Sequence, residues 1–190
     1  MLSSRPLTLA VLGIALLAGG CDRQSAPDAQ GDGATSAPSG TEAAPGTIDR
    51  SHKGSQMPDF TLSDAKGGKI AFASLRGQPV LINLWATWCA PCIAELPALD
   101  KLAAARAGKL KVLTISEDMG DAAAVAAFLS SRGLTRLEPW LDGDGEVAAH
   151  YAANTLPTSI YYDAEGRELW RFAGARDWAS AETAGLLDGR

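Results

Sequence analysis

The chain has 190 residues, of which 46% are hydrophobic, so it is long enough for one domain with a buried core and some additional segments. Its formal net charge is -5 at pH 7, and its 17 Lys and Arg residues are scattered along the sequence. Because phosphate binding needs clustered basic residues, this distribution argues against a nucleic-acid-binding surface. The three cysteines are an odd number, so at least one of them has no partner within the chain.

The first 20 residues have the features of a secretory signal peptide. Arg5 supplies a positive charge, an apolar run extends from Leu7 to Ala18, and small residues precede Cys21. The apolar run is too short to span a bilayer, which takes about 20 residues. We therefore expect residues 1–20 to form no part of the fold.

The segment from Leu17 to Cys21 resembles a bacterial lipobox, in which the cysteine is acylated and becomes the new N-terminus. The alternative is an ordinary secretory signal that happens to be followed by a cysteine. Acylation is favoured, because a single exposed thiol is a liability in an oxidising compartment. Asp22, directly after the cysteine, is typical of retention in the inner membrane. The expected location is the periplasmic side of a bacterial inner membrane, with a lipid anchor at Cys21; the alternative is a soluble periplasmic protein.

A segment poor in large apolar residues follows Cys21 and extends to about Gln56. It consists mainly of Gly, Ala, Ser, Pro, Thr and Asp, which cannot bury enough surface to offset the entropy lost on ordering. We expect residues 21–56 to form a flexible tether, with His52 exposed to solvent. The folded domain is then predicted to span residues 57–190.

Hydrophobic patterning and turn residues divide this domain into alternating strands and helices. In chain order, the predicted elements are a β-hairpin formed by 58–62 and 69–72, a strand at 80–85, a helix at 89–107 closed by Gly108, a strand at 111–116, a helix from Asp121 to about Arg132, a short strand at 137–141, a short helix at 146–153, a second hairpin formed by 158–163 and 167–172, and a short helix after Gly174. This order predicts an α/β sandwich with a mixed central sheet, flanking helices and an N-terminal hairpin extension.

The stretch from Trp85 to Cys92 joins a predicted buried strand to the start of a helix. Unpaired N–H groups and the partial positive charge at a helix N-terminus stabilise a thiolate at Cys89. Since the thiolate is the form that attacks disulfides, Cys89 is predicted to be the exposed nucleophile. Cys92, one turn further on and more buried, would resolve the resulting mixed disulfide.

Two other interpretations of this cysteine pair stay open. Half of a zinc site would need two more ligands, and the remaining Cys and His residues are Cys21, His52 and His150, the last of which we expect on a helix surface. A purely structural disulfide is disfavoured, because a bridge across so short a loop restricts the unfolded chain little. A redox pair that uses neither metal nor cofactor is the favoured interpretation.

The motif that runs from Trp85 through Cys89-Ala90-Pro91-Cys92 to Pro97 resembles the active site of the TlpA/ResA/CcmG group of thioredoxin-like proteins. The resemblance extends from Met57 to about Trp178. It implies a thioredoxin-like three-layer sandwich and a thiol-disulfide oxidoreductase that works through a reversible Cys89–Cys92 disulfide.

The resemblance also implies roles for individual residues. Pro157 matches the cis-proline that faces the dithiol in this fold, and it would turn the backbone of Leu156 toward an incoming peptide. The alternative is an ordinary trans-proline at the start of an edge strand. The residues implied to contact substrate are Trp88, Ala90, Pro91, Leu156 and Pro157.

Glu95 lies three residues beyond Cys92, so its carboxylate can approach the dithiol from the same side of the helix. An acid at this position handles protons in the family. The alternative is a solvated Glu in the first helical turn, favoured there by the helix dipole. Asn83 stands where thioredoxin has a buried Asp, and Asn cannot exchange a proton in this range, so proton handling is expected to shift to Glu95. Trp85 is expected to pack in the core.

The function implied is that of a reductase that takes electrons from a membrane dithiol donor of the DsbD or CcdA type. Its expected substrates are disulfides in exported proteins, among them apocytochromes c and copper-handling proteins. A thiol-based copper-binding or chaperone module is the main alternative, since two thiolates would bind Cu(I). A thiol peroxidase is disfavoured, because the pattern Pro-x-x-x-Thr-x-x-Cys is missing before Cys89.

Overall fold

The computed structural model describes residues 46–120 and 122–189. The predicted signal peptide, Cys21, most of the expected tether and the predicted helix cap Asp121 lie outside these residues. The β-strands are β1 (Ile48–Asp49), β2 (Thr61–Ser63), β3 (Lys69–Ala71), β4 (Val80–Trp85), β5 (Lys111–Ser116), β6 (Trp140–Leu141), β7 (Thr158–Tyr162) and β8 (Glu168–Ala173). The helices are a 3-10 turn at Phe72–Leu75, α1 (Ala90–Ala105), α2 (Ala122–Ser131), α3 (Glu146–His150) and α4 (Ala181–Leu187).

The strands of the described residues form one mixed sheet, in the order β1-β8-β7-β4-β5-β6-β2-β3. Strands β4, β5 and β6 are parallel, whereas β7 is antiparallel to β4 and β8 is antiparallel to β7. The hairpin β2–β3 joins the far edge of the sheet through β6. The predicted α/β sandwich with a mixed central sheet is confirmed.

Alternate residues of the central strand β4 face two apolar cores on opposite sides of the sheet. Leu81 and Trp85 belong to the core that includes residues of α1, α2 and α4. Ile82 and Leu84 belong to the core that includes α3 and the 3-10 turn. Because both faces of β4 are covered, its sequence is apolar at every position except Asn83 rather than alternating. Trp85 is 1% exposed, which confirms its predicted place in the core.

The ordered domain begins before Met57, so the expected end of the tether at residue 56 is wrong. Strand β1 pairs with β8 through Ile48 opposite Phe172, and Gln56 forms a bridge with Arg167. A two-residue strand has no hydrophobic periodicity, and its partner lies near the other end of the chain, so sequence patterning could not reveal this pairing.

The segment before Met57 is held by main-chain hydrogen bonds beside a buried ion pair. The N–H of Gly54 donates to the carbonyl of Glu168 at 2.8 Å, and the N–H of Glu168 donates to the carbonyl of Ser55 at 2.9 Å. Arg171 Nε and Nη2 donate to the Glu168 carboxylate at 2.6 and 2.9 Å. His52, in the same segment, is half-buried rather than solvated as expected.

Smaller differences from the predictions concern the ends of elements. Helix α3 ends at His150, short of the predicted Ala153, because the chain turns into the left-handed region at Ala152 (φ 51°). Strand β6 has two residues rather than five, and α1 ends at Ala105 rather than Ala107. No helix in the described part of the chain combines the length and the apolar character needed to cross a membrane.

Candidate active site

Cys89 and Cys92 lie where the central strand β4 passes into helix α1. Cys89 is the N-cap residue of α1, with an extended backbone (φ -89°, ψ 100°), and Pro91 occupies the first turn. The N–H of Cys92 donates to Cys89 Sγ at 3.3 Å. A disulfide joins the two residues, whose Cα atoms are 5.3 Å apart. The pair is therefore held at the positive end of α1, as the sequence predicts.

The two cysteines differ in accessibility. Cys89 is 6% exposed and Cys92 is 0% exposed. Cys89 is thus more buried than the sequence predicts for the nucleophile. Both cysteines are therefore buried in the disulfide form, and Cys89 is the slightly more exposed of the two.

The loop in front of Cys89 is fixed to the end of β5 by Asp118. The N–H of Thr87 donates to Asp118 Oδ2 at 2.9 Å, and Thr87 Oγ1 donates to Asp118 Oδ1 at 2.6 Å. Ser116 Oγ also donates to Asp118 Oδ2, at 2.6 Å. These hydrogen bonds hold Thr87, two residues before Cys89, in a fixed position.

Exposed side chains surround the cysteine pair. Trp88 is 70% exposed, and Ala90 and Pro91 are also exposed, so all three are available to a bound polypeptide. Met119 is 92% exposed and directly follows Asp118, the residue that binds the loop carrying Trp88. Nothing in the sequence motif predicts a role for Met119.

Glu95 is 5% exposed and lies on the buried side of α1, as Cys92 does. Burial is the largest influence on its carboxyl group and raises the pKa above 4.5. Two hydrogen bonds oppose this rise: the N–H of Arg176 donates to Oε2 at 2.9 Å, and Asn83 Nδ2 donates to Oε1 at 2.8 Å. The indole of Trp178 also lowers the pKa, although its buried N–H makes no hydrogen bond within the described residues. The alternative of a solvated Glu95 is therefore wrong.

Asn83 links Glu95 to strand β7. It is 0% exposed, and its Nδ2 donates both to Glu95 Oε1 and to Ser159 Oγ, the second at 3.1 Å. Its Oδ1 is buried and has no hydrogen-bond partner within the described residues. Since neither an amide nor a hydroxyl exchanges protons near neutral pH, Glu95 is the ionisable member of this group.

The peptide bond between Leu156 and Pro157 is cis, which confirms the implied cis-proline and excludes the trans alternative. The register places Thr158 of β7 opposite Leu84 of β4. The proline loop therefore lies at the end of the sheet from which the cysteine loop departs. The N–H of Gly174 donates to the carbonyl of Pro157 at 2.8 Å, which ties this loop to the chain after β8.

A second acid with a shifted pKa, Glu117, follows strand β5. Burial, together with the negative charges of Asp142 and Asp118, raises its pKa to about 8. Its N–H donates to the carbonyl of Trp85 at 2.8 Å. Glu117 therefore belongs to the framework that supports the cysteine loop, and the sequence motif predicts nothing about it.

Several of these contacts join residues that are far apart in the chain. The pairs Thr87–Asp118, Asn83–Ser159 and Glu95–Arg176 are separated by 31, 76 and 81 residues. No local motif could identify Arg176 or Ser159 as part of the site. Within residues 46–120 and 122–189, no three Cys, His, Asp or Glu side chains are grouped so that they could hold a metal ion.

Comparison with known proteins agrees with this geometry. The sequence model of the AhpC/TSA family matches residues 53–167, which is more than half of the chain. The thioredoxin-like protein YneN of Bacillus subtilis is 35% identical over 60% of this chain and 67% of its own length. The thiol-disulfide oxidoreductase ResA of Bacillus thuringiensis is 30% identical over 64% of this chain and 69% of its own length.

A solved structure shows the same fold. The crystal structure of a secreted Mycobacterium tuberculosis disulfide oxidoreductase homologous to E. coli DsbE is 27% identical, with a TM-score of 0.59. The match covers 70% of this chain and 96% of that one. The chain therefore belongs to the AhpC/TSA family, and it is a thiol-disulfide oxidoreductase of thioredoxin-like fold.

Proposed function

We propose that this protein reduces disulfides in exported proteins on the periplasmic side of a bacterial inner membrane. The observation that carries the proposal is the disulfide-bonded pair at the start of α1, in which Cys89 is 6% exposed, Cys92 is fully buried, and the acid Glu95 is buried in the same helix. Apocytochromes c and copper-handling proteins are the substrate classes we favour. A membrane dithiol of the DsbD or CcdA type would return the pair to its reduced state.

The reaction consists of two successive thiol–disulfide exchanges. The Cys89 thiolate attacks a substrate disulfide, a mixed disulfide forms, and one substrate sulfur leaves as a thiolate. Cys92, once deprotonated, attacks Cys89 Sγ and releases the second substrate sulfur. The two electrons have then passed to the substrate, and the Cys89–Cys92 disulfide seen in the structure has formed. The membrane dithiol then reduces the Cys89–Cys92 disulfide by two further exchanges of the same kind and is itself oxidised to a disulfide.

Glu95 is the group that we propose to take the proton from Cys92. A base must lie near the group that it deprotonates, and its pKa must be close to the working pH. Glu95 shares the buried side of α1 with Cys92, and its pKa is raised by burial. Substrate contacts are assigned to Trp88, Ala90, Pro91, Leu156 and Pro157, which border the same end of the sheet.

The lipid anchor at Cys21 and the tether that follows it belong to this proposal. The secreted relative from Mycobacterium tuberculosis supports a place outside the cytoplasm. An anchor would keep the domain at a high local concentration near a membrane donor, which favours repeated exchange.

The direction of electron flow can be tested by measuring the reduction potential of the Cys89–Cys92 couple in thiol–disulfide buffers. A reductase needs a couple that gives up electrons to its substrates, so we expect a potential well below about -200 mV. A potential near that of strong oxidants, about -120 mV, would show that the protein oxidises its substrates instead.

The substrate class can be tested by trapping mixed disulfides. In the Cys92→Ser variant, Cys89 can still attack, but the mixed disulfide cannot be resolved, so exported proteins should accumulate on it in the native host. The matched control is Cys89→Ser, which keeps one active-site sulfur but leaves it in the enclosed position. Equal trapping by the two variants, or capture of no exported protein by Cys92→Ser, would contradict the proposal.

A further inference from the structure

Arg176 lies in the turn between β8 and α4, and its guanidinium group is enclosed although it is charged. Its side chain is 9% exposed. Nε donates to Thr183 Oγ1 at 2.8 Å, and Nη2 donates to Glu182 Oε1 at 2.8 Å. The guanidinium carbon also lies 4.9 Å from the centre of the Phe172 ring, within the range of a cation–π contact. A buried cation needs such partners, so this side chain is fixed in one position.

The partner Thr183 is itself held on several sides. It is 1% exposed, and its Oγ1 donates to the carbonyl of Asp177 at 2.7 Å. Its N–H donates to Ser180 Oγ at 3.1 Å, which caps the start of α4. Thr183, in the first turn of α4, therefore binds both the Arg176 side chain and the main chain of the next residue, Asp177.

The main chain of Arg176 contacts Glu95, the residue that we propose takes the proton from Cys92. Its N–H donates to Glu95 Oε2 at 2.9 Å, whereas its guanidinium group binds elsewhere. Among the influences that lower the pKa of Glu95, the main-chain hydrogen bond from Arg176 is the largest. Arg176 thus stabilises the charged form of Glu95 through its main-chain N–H, and its side chain keeps that N–H in place.

We propose that Arg176 is a positioning residue for Glu95: its side chain, fastened to Thr183 and Phe172, holds the turn so that its own main-chain N–H stays on the Glu95 carboxylate. The proposal rests on the role assigned above to Glu95. It adds a residue outside the cysteine motif that controls the proton affinity of the active site.

The same turn also borders a surface cleft that Glu95 lines. A cleft of about 350 Å³ lies between α1 and this turn, lined by Pro91, Ala94, Glu95, Ala98 and residues 175–177. Apart from Glu95 itself, the charged residues lining the cleft are Arg176 and Asp177. Asp177 is exposed, and its carboxylate accepts the N–H of Ala179 at 2.9 Å. The turn that carries the Arg176 N–H is therefore also a wall of the cleft that Glu95 lines.

The experiment is an NMR titration of the Glu95 carboxyl carbon in the full chain, with the Cys89–Cys92 disulfide intact so that neither active-site thiol titrates. The informative pair is Thr183→Val, which keeps the shape but lacks the hydroxyl, and Thr183→Ser, which keeps the hydroxyl. A third variant, Arg176→Ala, removes the side chain directly. Glu182→Gln is the control, because the amide oxygen keeps an acceptor for Arg176 Nη2, and the charge that is removed lies on a side chain that is 80% exposed.

We expect the Glu95 midpoint to move to higher pH in Thr183→Val and Arg176→Ala, because a donor that favours the charged carboxylate is displaced. Thr183→Ser and Glu182→Gln should titrate like the natural protein. A Glu95 midpoint that is unchanged or lowered in Thr183→Val would overturn the proposal, even if Arg176→Ala fails to fold. The titration needs no turnover. If the natural protein had no reductase activity, the proposed function would be contradicted, but the titration would still test the role of Arg176.

Discussion

At the scale of single residues, Glu95 is the group on which the proposed chemistry depends most. It is a carboxyl group enclosed by the protein, with one oxygen bound to the Asn83 amide and the other to the Arg176 N–H. Burial disfavours its charged form, and the two donors favour it. The balance leaves a raised pKa, which suits a group that must both accept and release a proton near neutral pH.

Replacing Glu95 with Gln should slow the resolution of mixed disulfides at neutral pH. Gln has nearly the same shape and can still accept a hydrogen bond from the Arg176 N–H, but it cannot take up a proton. Since general acid–base catalysis contributes about 10²–10⁴-fold, we expect the rate of resolution in a single turnover to fall at least about 100-fold. Rapid-mixing kinetics with a small disulfide-bonded protein as substrate would measure this rate.

The matched control for this prediction is Glu182→Gln, the same change at an exposed position of α4. Its kinetics and their pH profile should equal those of the natural protein. If Glu95→Gln resolved mixed disulfides at the natural rate across pH 5 to 9, the proposed proton transfer would have to be assigned to water or to another residue.

At the scale of elements, the parts of the site that follow one another in the chain could be predicted from the sequence. Strands β4 and β5 have the predicted ends, because a strand covered on both faces is rich in Val, Leu and Ile and stands out from its neighbours. The motif likewise predicts that α1 begins at the cysteine pair, and the helix begins at Ala90 with Cys89 as its N-cap. The second hairpin, β7–β8, followed from two apolar runs around a short turn.

The elements and contacts that the sequence could not predict depend on pairing across long stretches of chain. Strand β1 is too short to carry a pattern, and its place in the sheet is decided by β8. The hydrogen bond from Arg176 to Glu95 joins a loop and a helix 81 residues apart. The motif predicts that an acid is present beside the dithiol, but its proton affinity depends on these distant donors.

At the scale of the whole molecule, the site is supported by the core on one face of the sheet and by the loop that follows β5. The core that includes Cys92 and α1 encloses the inner sulfur. The framework after β5 holds the outer loop, since Asp118 binds Thr87 and the N–H of Glu117 binds the carbonyl of Trp85. The stability of that framework depends on pH, because Glu117 is a half-buried carboxyl among other acids.

Glu117 should make the free energy of unfolding decrease as pH rises from about 5 to 8. Its pKa is about 8 in the folded protein against 4.5 ordinarily, so over this range the folded state holds a proton that the unfolded state has lost. One such proton corresponds to at most about 1.4 kcal/mol per pH unit, and solvent around a half-buried group reduces this. In Glu117→Gln the decrease should be smaller, so the variant should gain stability over the natural protein as pH approaches 8.

Denaturant unfolding at pH 5, 6.5 and 8, with the disulfide intact, measures the free energy of unfolding of the natural protein and of Glu117→Gln. Glu165→Gln, at an exposed position, is the control and should keep the natural slope. Parallel curves for the natural protein and Glu117→Gln would show that this carboxyl is already ionised at neutral pH and that the acids around it do not set the pH response of the fold.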